Sequence, residues 1–230
     1  MKVICFDTET TGLSPKKDNI IEIALYTVED GECTEEYNRF IYYGEDHKLS
    51  EKIIDLTGIT DKMLSDEGVL PSVVATDLKQ RLTPGTVMIA HNTQFDLNFI
   101  YELIKKYYPD EADTIVSECI WLDTLTIFKD RKSYPHKLID MVEHYELEDV
   151  EFHRAINDTH ALYQSVLALR DERNDLREYI NVFGYNPRYG ITGERFSFIT
   201  YGPQRYHNNK SLVSSEKILP RIIKEKEMGE

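Results

Sequence analysis

The sequence predicts an α/β fold: three layers, with a mixed five-stranded sheet flanked by helices. Three observations carry that expectation. Strand-like segments rich in β-branched and aromatic residues come first, with an Asp-Gly turn signal between two of them. Short apolar runs then alternate with segments whose apolar residues recur at 3–4 spacing. The chain has 230 residues, 41% hydrophobic and 30% charged, which suits one packed domain with an appendage.

Val3 to Phe6 is a short apolar run, read as a buried strand. Ile20 to Val28 and Tyr37 to Tyr43 are the next two strands, and Asp30-Gly31 turns the chain between them. These three form an antiparallel meander. Ser50 caps a short helix that stops near Gly58. Pro71-Ser72 opens a helix to about Leu82, Pro84-Gly85 is a turn, and Val87 to Ala90 is a fourth strand. Asn92 or Thr93 caps the following helix, whose Phe99, Leu103 and Ile104 share a face. Cys119 to Leu122 reads as the fifth strand and Leu138 to Tyr145 as a helix. Asn157 caps a long helix carrying Leu162, Val166 and Leu169, continuing towards Tyr179.

The texture then changes. Residues 181–224 hold seven Lys/Arg against two Asp/Glu, broken by glycine and proline and crowded with aromatics. We therefore divide the chain into a domain of residues 1–175 and an aromatic, basic extension of residues 176–230. The extension has two readings: a small β-hairpin or tail packed on the core, or a guide for a substrate strand using Arg188, Arg195 and Arg205.

The net charge is −14, and residues 1–165 hold 16 Lys/Arg against 32 Asp/Glu. That excludes a broad basic surface for nucleic acid or anionic membrane. The three cysteines, Cys5, Cys33 and Cys119, form no CxxC or Cys/His zinc spacing, so reduced thiols are expected. With no signal-peptide pattern and no apolar run near 20 residues, the expected location is the cytoplasm.

Function is carried by acids at element ends. In Phe6-Asp7-Thr8-Glu9-Thr10-Thr11-Gly12, strand alternation points Asp7 and Glu9 to the same side. Two carboxylates on one face repel each other unless a cation lies between them, and hard cations take oxygen ligands. Alone, an Asp-x-Glu in so acidic a chain is an ordinary solvated surface; its place after a buried strand argues for more. His91-Asn92-Thr93-Gln94-Phe95-Asp96 puts Asp96 in a first helical turn, where helix-dipole complementarity is the plain alternative. His153-Arg154-Ala155-Ile156-Asn157-Asp158 has the spacing His-x4-Asp, with a second such acid at the start of the long helix and the histidine in the loop before it. Together, Asp7, Glu9, Asp96 and Asp158 can converge on one edge of a sheet.

The stretches FDTETTGL, HNTQFD and HRAIND resemble the three exonuclease motifs of the DEDDh family, which includes the proofreading epsilon subunit of bacterial DNA polymerase III. IIEIA at 20–24, LTGIT at 56–60, DTL at 123–125 and KLIDMVEHYELE at 137–148 fit as well. Thr93-Gln94 and Phe152 depart from epsilon-type motifs without touching an acid, which bears on substrate preference rather than chemistry.

The resemblance implies a ribonuclease H-like fold and 3′→5′ exonuclease chemistry with two Mg²⁺ (or Mn²⁺) ions about 3.5–4 Å apart. It implies that Asp7 bridges both ions, that Glu9 and Asp158 complete one site and Asp96 the other, and that His153 is the general base. It also implies that backbone groups at Thr8 and Thr10 hold the terminal sugar, while Leu13 and Phe95 pack on its base. Core packing is the competing role for Leu13 and Phe95. His91 is either a nucleotide contact or a histidine hydrogen-bonded at a strand end. Asp123 is expected to be structural. The implied partners are single-stranded 3′ ends, DNA first and RNA as the alternative, and a DNA polymerase partner in proofreading or repair. A catalytically silent polymerase-docking module is the reading from a different class.

Overall fold

A computed structural model describes residues 1–147, 154–185 and 193–203. Its centre is a five-stranded sheet in the order β3-β2-β1-β4-β5, comprising β1 (Lys2–Thr10), β2 (Ile20–Glu29), β3 (Glu32–Phe40), β4 (Val87–Ala90) and β5 (Ile120–Asp123). β1, β2 and β3 pair antiparallel, while β4 and β5 run parallel to β1. This is the mixed sheet of the ribonuclease H-like expectation. Asp30 and Gly31 both have positive φ, the primed turn that matches strand twist, and it locks Glu29 opposite Glu32. The third strand therefore starts at Glu32 and ends at Phe40, earlier than composition suggested.

Each sheet face is covered. One face, including Ile4, Phe6, Met88 and Trp121, packs on α3 (Pro71–Arg81) and α4 (Thr93–Tyr107). The other, including Cys5, Ile89 and Leu122, packs on α6 (Thr124–Arg131), α7 (Leu138–His144) and α8 (Ala155–Glu172). Two short helices, α1 (Glu51–Thr57) and α2 (Asp61–Glu67), close a smaller cluster with Ile21 and Phe40. Ser50 caps α1 as expected, its hydroxyl accepting from the Ile53 N–H.

Three helices escaped the sequence reading: α2, α5 (Ala112–Ser117) and α6. They have 7, 6 and 8 residues, too few for a periodic apolar face to repeat. α8 begins at Ala155, so Asn157 lies inside its first turn and is not its cap. It ends at Glu172, and a separate 3₁₀ turn covers Leu176–Tyr179.

The described part of the extension forms β6 (Val182–Tyr185) and β7 (Thr200–Pro203), and these pair parallel. A two-strand hairpin is antiparallel, so β6 and β7 do not form the expected hairpin with each other. The extension is also knitted into the core. The Asn181 N–H donates to the Trp121 carbonyl, the Trp121 N–H to Asn181 Oδ1, and Phe183, Phe196, Ile199 and Tyr201 join the cluster that holds Phe6. Arg195 lies over the Tyr201 ring, while Arg188 and Arg205 lie outside the described residues. The three thiols are free, with Cys5 and Cys119 buried. Among the described residues no helix is long and apolar enough to cross a membrane.

Candidate active site

The acids meet at the C-terminal end of β1. Carboxylate oxygens of Asp7, Glu9 and Asp158 all lie within 4.8 Å of one another. Strand alternation puts Asp7 and Glu9 on the face covered by α8, and the first turn of α8 brings Asp158 to them. Asp96 is not one of these three. It is buried at the start of α4, where its Oδ1 accepts a 2.6 Å hydrogen bond from the Thr8 hydroxyl. Thr8 is thus a link inside the fold through its side chain.

Packing acids together shifts them. Burial first, then Asp96, Asp158, Glu9 and Glu22, push the Asp7 carboxyl well above the usual range. Glu9 is pushed up to about 7 by burial and by Asp158, Glu22 and Asp96. Asp96 is also pushed up to about 7, chiefly by burial, against the opposing hydrogen bond from Thr8. Ionised together, these carboxylates repel one another, and an all-oxygen set of that kind suits hard divalent cations, which relieve the repulsion.

Glu22 was not singled out from the sequence. It is fully buried on β2, directly across from Glu9. Its carboxylate accepts from the Arg154 guanidinium at 3.3 Å, the Asn38 amide at 3.0 Å and the Ala155 N–H at 3.4 Å. It therefore ties the start of α8, and with it Asp158, to the sheet. The signal was present: Glu22 is the one charged residue inside an apolar run. His153, together with Phe152, lies outside the described residues; its neighbour Arg154 is the one Glu22 holds.

The other expected site residues divide. Leu13 is 76% exposed, so core packing is not its role. The loop that carries it is pinned: Asp18 accepts from the Ser14 N–H at 2.8 Å, and Thr11 accepts from the Asn19 N–H. A Cβ on Gly12 would come within 2.5 Å of the Asp18 carboxylate, so a side chain there would have to push that carboxylate aside. Phe95 is half-buried, its ring 5.0 Å from Phe99. The Thr10 hydroxyl donates to the Gly12 carbonyl. β1 runs on past its last β4 pair, Cys5 with Ile89, so among the described residues no strand borders Phe6–Thr10 on the side away from β2, where the Thr8 backbone bonds Asp96. His91 has both ring nitrogens engaged within the protein, one with the Thr124 hydroxyl at 3.0 Å and one with the His136 carbonyl at 2.8 Å. That is the hydrogen-bonded strand-end histidine, with no polar ring atom left for a nucleotide.

Asp123 is structural. Its Oδ1 accepts from the N–H groups of Asn92, Thr93 and Leu125, and its Oδ2 from the Thr126 hydroxyl. It caps α6 and supports the left-handed Asn92 that precedes α4, the capping role expected of Asn92 or Thr93. Gln94, a departure from the family motif, donates to the Glu194 carbonyl and so anchors the extension beside the site.

Comparisons with known proteins agree with this geometry. The PolC-type DNA polymerase III of Bacillus subtilis is 36% identical over 163 residues, covering 69% of this chain and 11% of the relative. That of Staphylococcus haemolyticus is 38% identical over 161 residues, covering 68% and 10%. The chain thus spans about a tenth of the length of these relatives. Among solved structures, a zinc-bound complex of Escherichia coli exonuclease I with single-stranded DNA aligns with a TM-score of 0.69 at 16% identity, over 77% of this chain and 42% of the other. Exonuclease I of Methylocaldum szegediense aligns with a TM-score of 0.67 at 17% identity, over 76% and 41%. At such identities the likeness is one of fold. The family model described as an exonuclease (RNase_T) matches residues 4–166, which spans β1 to α8 and every acid of the cluster; the chain belongs to that exonuclease family.

Proposed function

We propose that this chain is a divalent-cation-dependent 3′→5′ exonuclease that releases nucleoside 5′-monophosphates from single-stranded DNA ends. The observation that carries the reading is the convergence of Asp7, Glu9 and Asp158 within 4.8 Å. These three would hold one Mg²⁺ or Mn²⁺, and Asp7 with Asp96 a second. Divalent cations bound there would supply Lewis-acid stabilisation of charge on the scissile phosphate.

The chain's own residues do the rest. Backbone groups of the Thr8–Thr10 stretch, beyond the last β4 pair, bind the terminal sugar. Leu13, apolar and exposed on a pinned loop, lies against the terminal base, a contact that tolerates any sequence. His153 accepts the proton of the attacking water, since an imidazole titrates near working pH. Glu22, by gripping Arg154 and the Ala155 N–H, fixes the chain immediately after it. The PolC-type relatives support a proofreading setting beside a polymerase.

The test is release of mononucleotides from 5′-labelled DNA and RNA oligonucleotides with Mg²⁺, Mn²⁺ or chelator. The expected result is a ladder shortening from the 3′ end with either metal, faster on DNA, and none with chelator. Undiminished release in chelator, or no release with either metal, sinks the reading. His153→Ala is expected to lower kcat about 10²–10⁴-fold. The wild-type rate should be greatest on the alkaline side of neutral, and a maximum near pH 5.5 would remove His153 as the base.

A further inference from the structure

Two depressions border the loop that follows β1. One is a groove of 400 Å³ between the Pro15–Ile20 segment and the Phe99–Lys106 face of α4. The other, of 580 Å³, lies beneath residues 42–49 and α2. Both reach Asn19 and Tyr43, so the same loop forms a wall of each. Charge separates them. The first carries Lys16, Lys17, Lys105 and Lys106 against Asp18 and Glu102, a surplus of two positive charges. The second carries Lys48 and Lys62 against Glu45, Asp46 and Asp61, a deficit of one.

On a chain of net charge −14, a lysine-lined groove next to an acidic site is the feature that needs a reason. Its lysines are not all spent within the protein. Lys16 pairs with Glu194 at 3.2 Å, and Lys105 lies over the Tyr101 ring. No carboxylate among the described residues pairs with Lys17 or Lys106, and both are exposed; Lys106 lies 5.7 Å from the centre of the Tyr107 ring, a contact that leaves its charge unneutralised. Asp18, the acid nearest in sequence to Lys17, is already engaged by the Ser14 N–H.

The groove also points the right way. α4 starts at the carboxylate cluster with Asp96, and Phe95 meets Phe99 on the way to the groove. Ten residues of helix separate Asp96 from Lys106, a rise of about 15 Å. An anion seated beside Lys106 is therefore more than one nucleotide from the acids. A dinucleotide held at the acids does not reach it.

We propose that the groove between the Pro15–Ile20 segment and α4 binds the phosphates of the single strand upstream of the reacting 3′ end, with Lys17 and Lys106, neither held by a carboxylate among the described residues, as its cations. The proposal rests on the exonuclease reading above for its direction. It gives so acidic a protein a way to retain a strand: a narrow positive groove rather than a broad face.

The experiment compares a dodecathymidylate with the dinucleotide TpT, measuring kcat/KM with Mg²⁺ from 50 to 200 mM salt. The Lys17→Ala/Lys106→Ala variant is expected to reduce the preference for the longer substrate about tenfold at the lowest salt. The slope of log(kcat/KM) against log[salt] on the dodecamer should become shallower by about 1.4, the value for two single-strand phosphate contacts. An unchanged slope overturns the proposal. So does a loss of slope in Lys48→Ala/Lys62→Ala, which line the other depression, with none in the first pair. Wild-type protein that releases nothing with Mg²⁺ or Mn²⁺ defeats the exonuclease reading instead. The groove is then judged by dodecamer binding in fluorescence anisotropy, where the same slope change upholds it and its absence overturns it.

Discussion

Asp7→Asn is expected to abolish nucleotide release and to raise the melting temperature of the metal-free protein at pH 7.5. The two effects have one cause. Asp7 stands among Glu9, Asp96, Asp158 and Glu22, and burial with those neighbours raises its pKa far above that of a free carboxyl. A carboxyl raised in this way keeps its proton in the folded state after the unfolded chain has lost it. Its contribution to stability is complete below the unfolded value of about 4 and is lost as pH rises through the folded value. Glu9 and Asp96, both pushed up to about 7, set the window between about pH 4 and 7. Metal-free wild type should therefore melt higher at pH 5 than at pH 7.5. Asparagine keeps the shape and removes one repelling charge, so the variant's curve should be flatter and lie higher at pH 7.5. Each kcal/mol relieved is worth about 2–4 °C in a chain of this size. Mg²⁺ should stabilise the wild type at pH 7.5 and the variant much less. Release should fall by about 10³-fold or more, in line with several kcal/mol of lost charge stabilisation. Calorimetry at the two pH values, with chelator and with Mg²⁺, checks the stability half. Chelated wild type melting higher at pH 7.5 than at pH 5 would mean that the acids do not repel as argued.

How much of this was legible depends on whether the signal was local. The strands and the longer helices α3, α4 and α8 carry their own punctuation and periodicity, so their existence and order could be read. The parity of Asp7 and Glu9 is a property of any strand, and their common face followed from it. α6 was invisible because it starts directly after β5, with Asp123 serving as both the strand's last residue and the helix cap. The parallel pairing of β6 with β7 is a long-range choice that no short turn announces. Glu22 and Asp123 are alike in this: an acid in an apolar strand announces that something must satisfy it, and only the fold says what. For Glu22 the partners are 16 and more residues away in the chain; for Asp123 they include the turn before α4. Gln94 belongs with them, since its partner Glu194 comes from the extension.

Asp123→Ala is expected to be the most destabilising single change near the site, while leaving the carboxylate cluster intact. Asp123 is 2% exposed and satisfies four donors: the N–H groups of Asn92, Thr93 and Leu125 and the Thr126 hydroxyl. The chain of bonds continues, because Thr126 Oγ1 accepts from the Gly184 N–H of β6 at 2.8 Å. Alanine leaves these donors without their acceptor. Each buried orphan costs about 1–3 kcal/mol, so a loss of about 4 kcal/mol or more is expected, out of a typical total of about 5–15. The melting point should fall by about 8–16 °C. Asn92 sits at φ 82, a left-handed conformation that a non-glycine residue keeps only when its surroundings hold it. Losing that support loosens the turn leading into Asp96, so residual activity should fall as well. Asp123→Asn keeps one oxygen for the three N–H groups and offers an amide donor to Thr126, whose hydroxyl can turn to accept it; about half the loss should be recovered. Urea unfolding of the three proteins in chelator separates this from the competing role. Were Asp123 instead a fifth carboxylate of the cation site, alanine would relieve repulsion and the metal-free protein would become more stable, as Asp7→Asn is expected to do. The two acids should thus move stability in opposite directions under the same conditions, and a shift of the same sign in both would merge the roles assigned to them here.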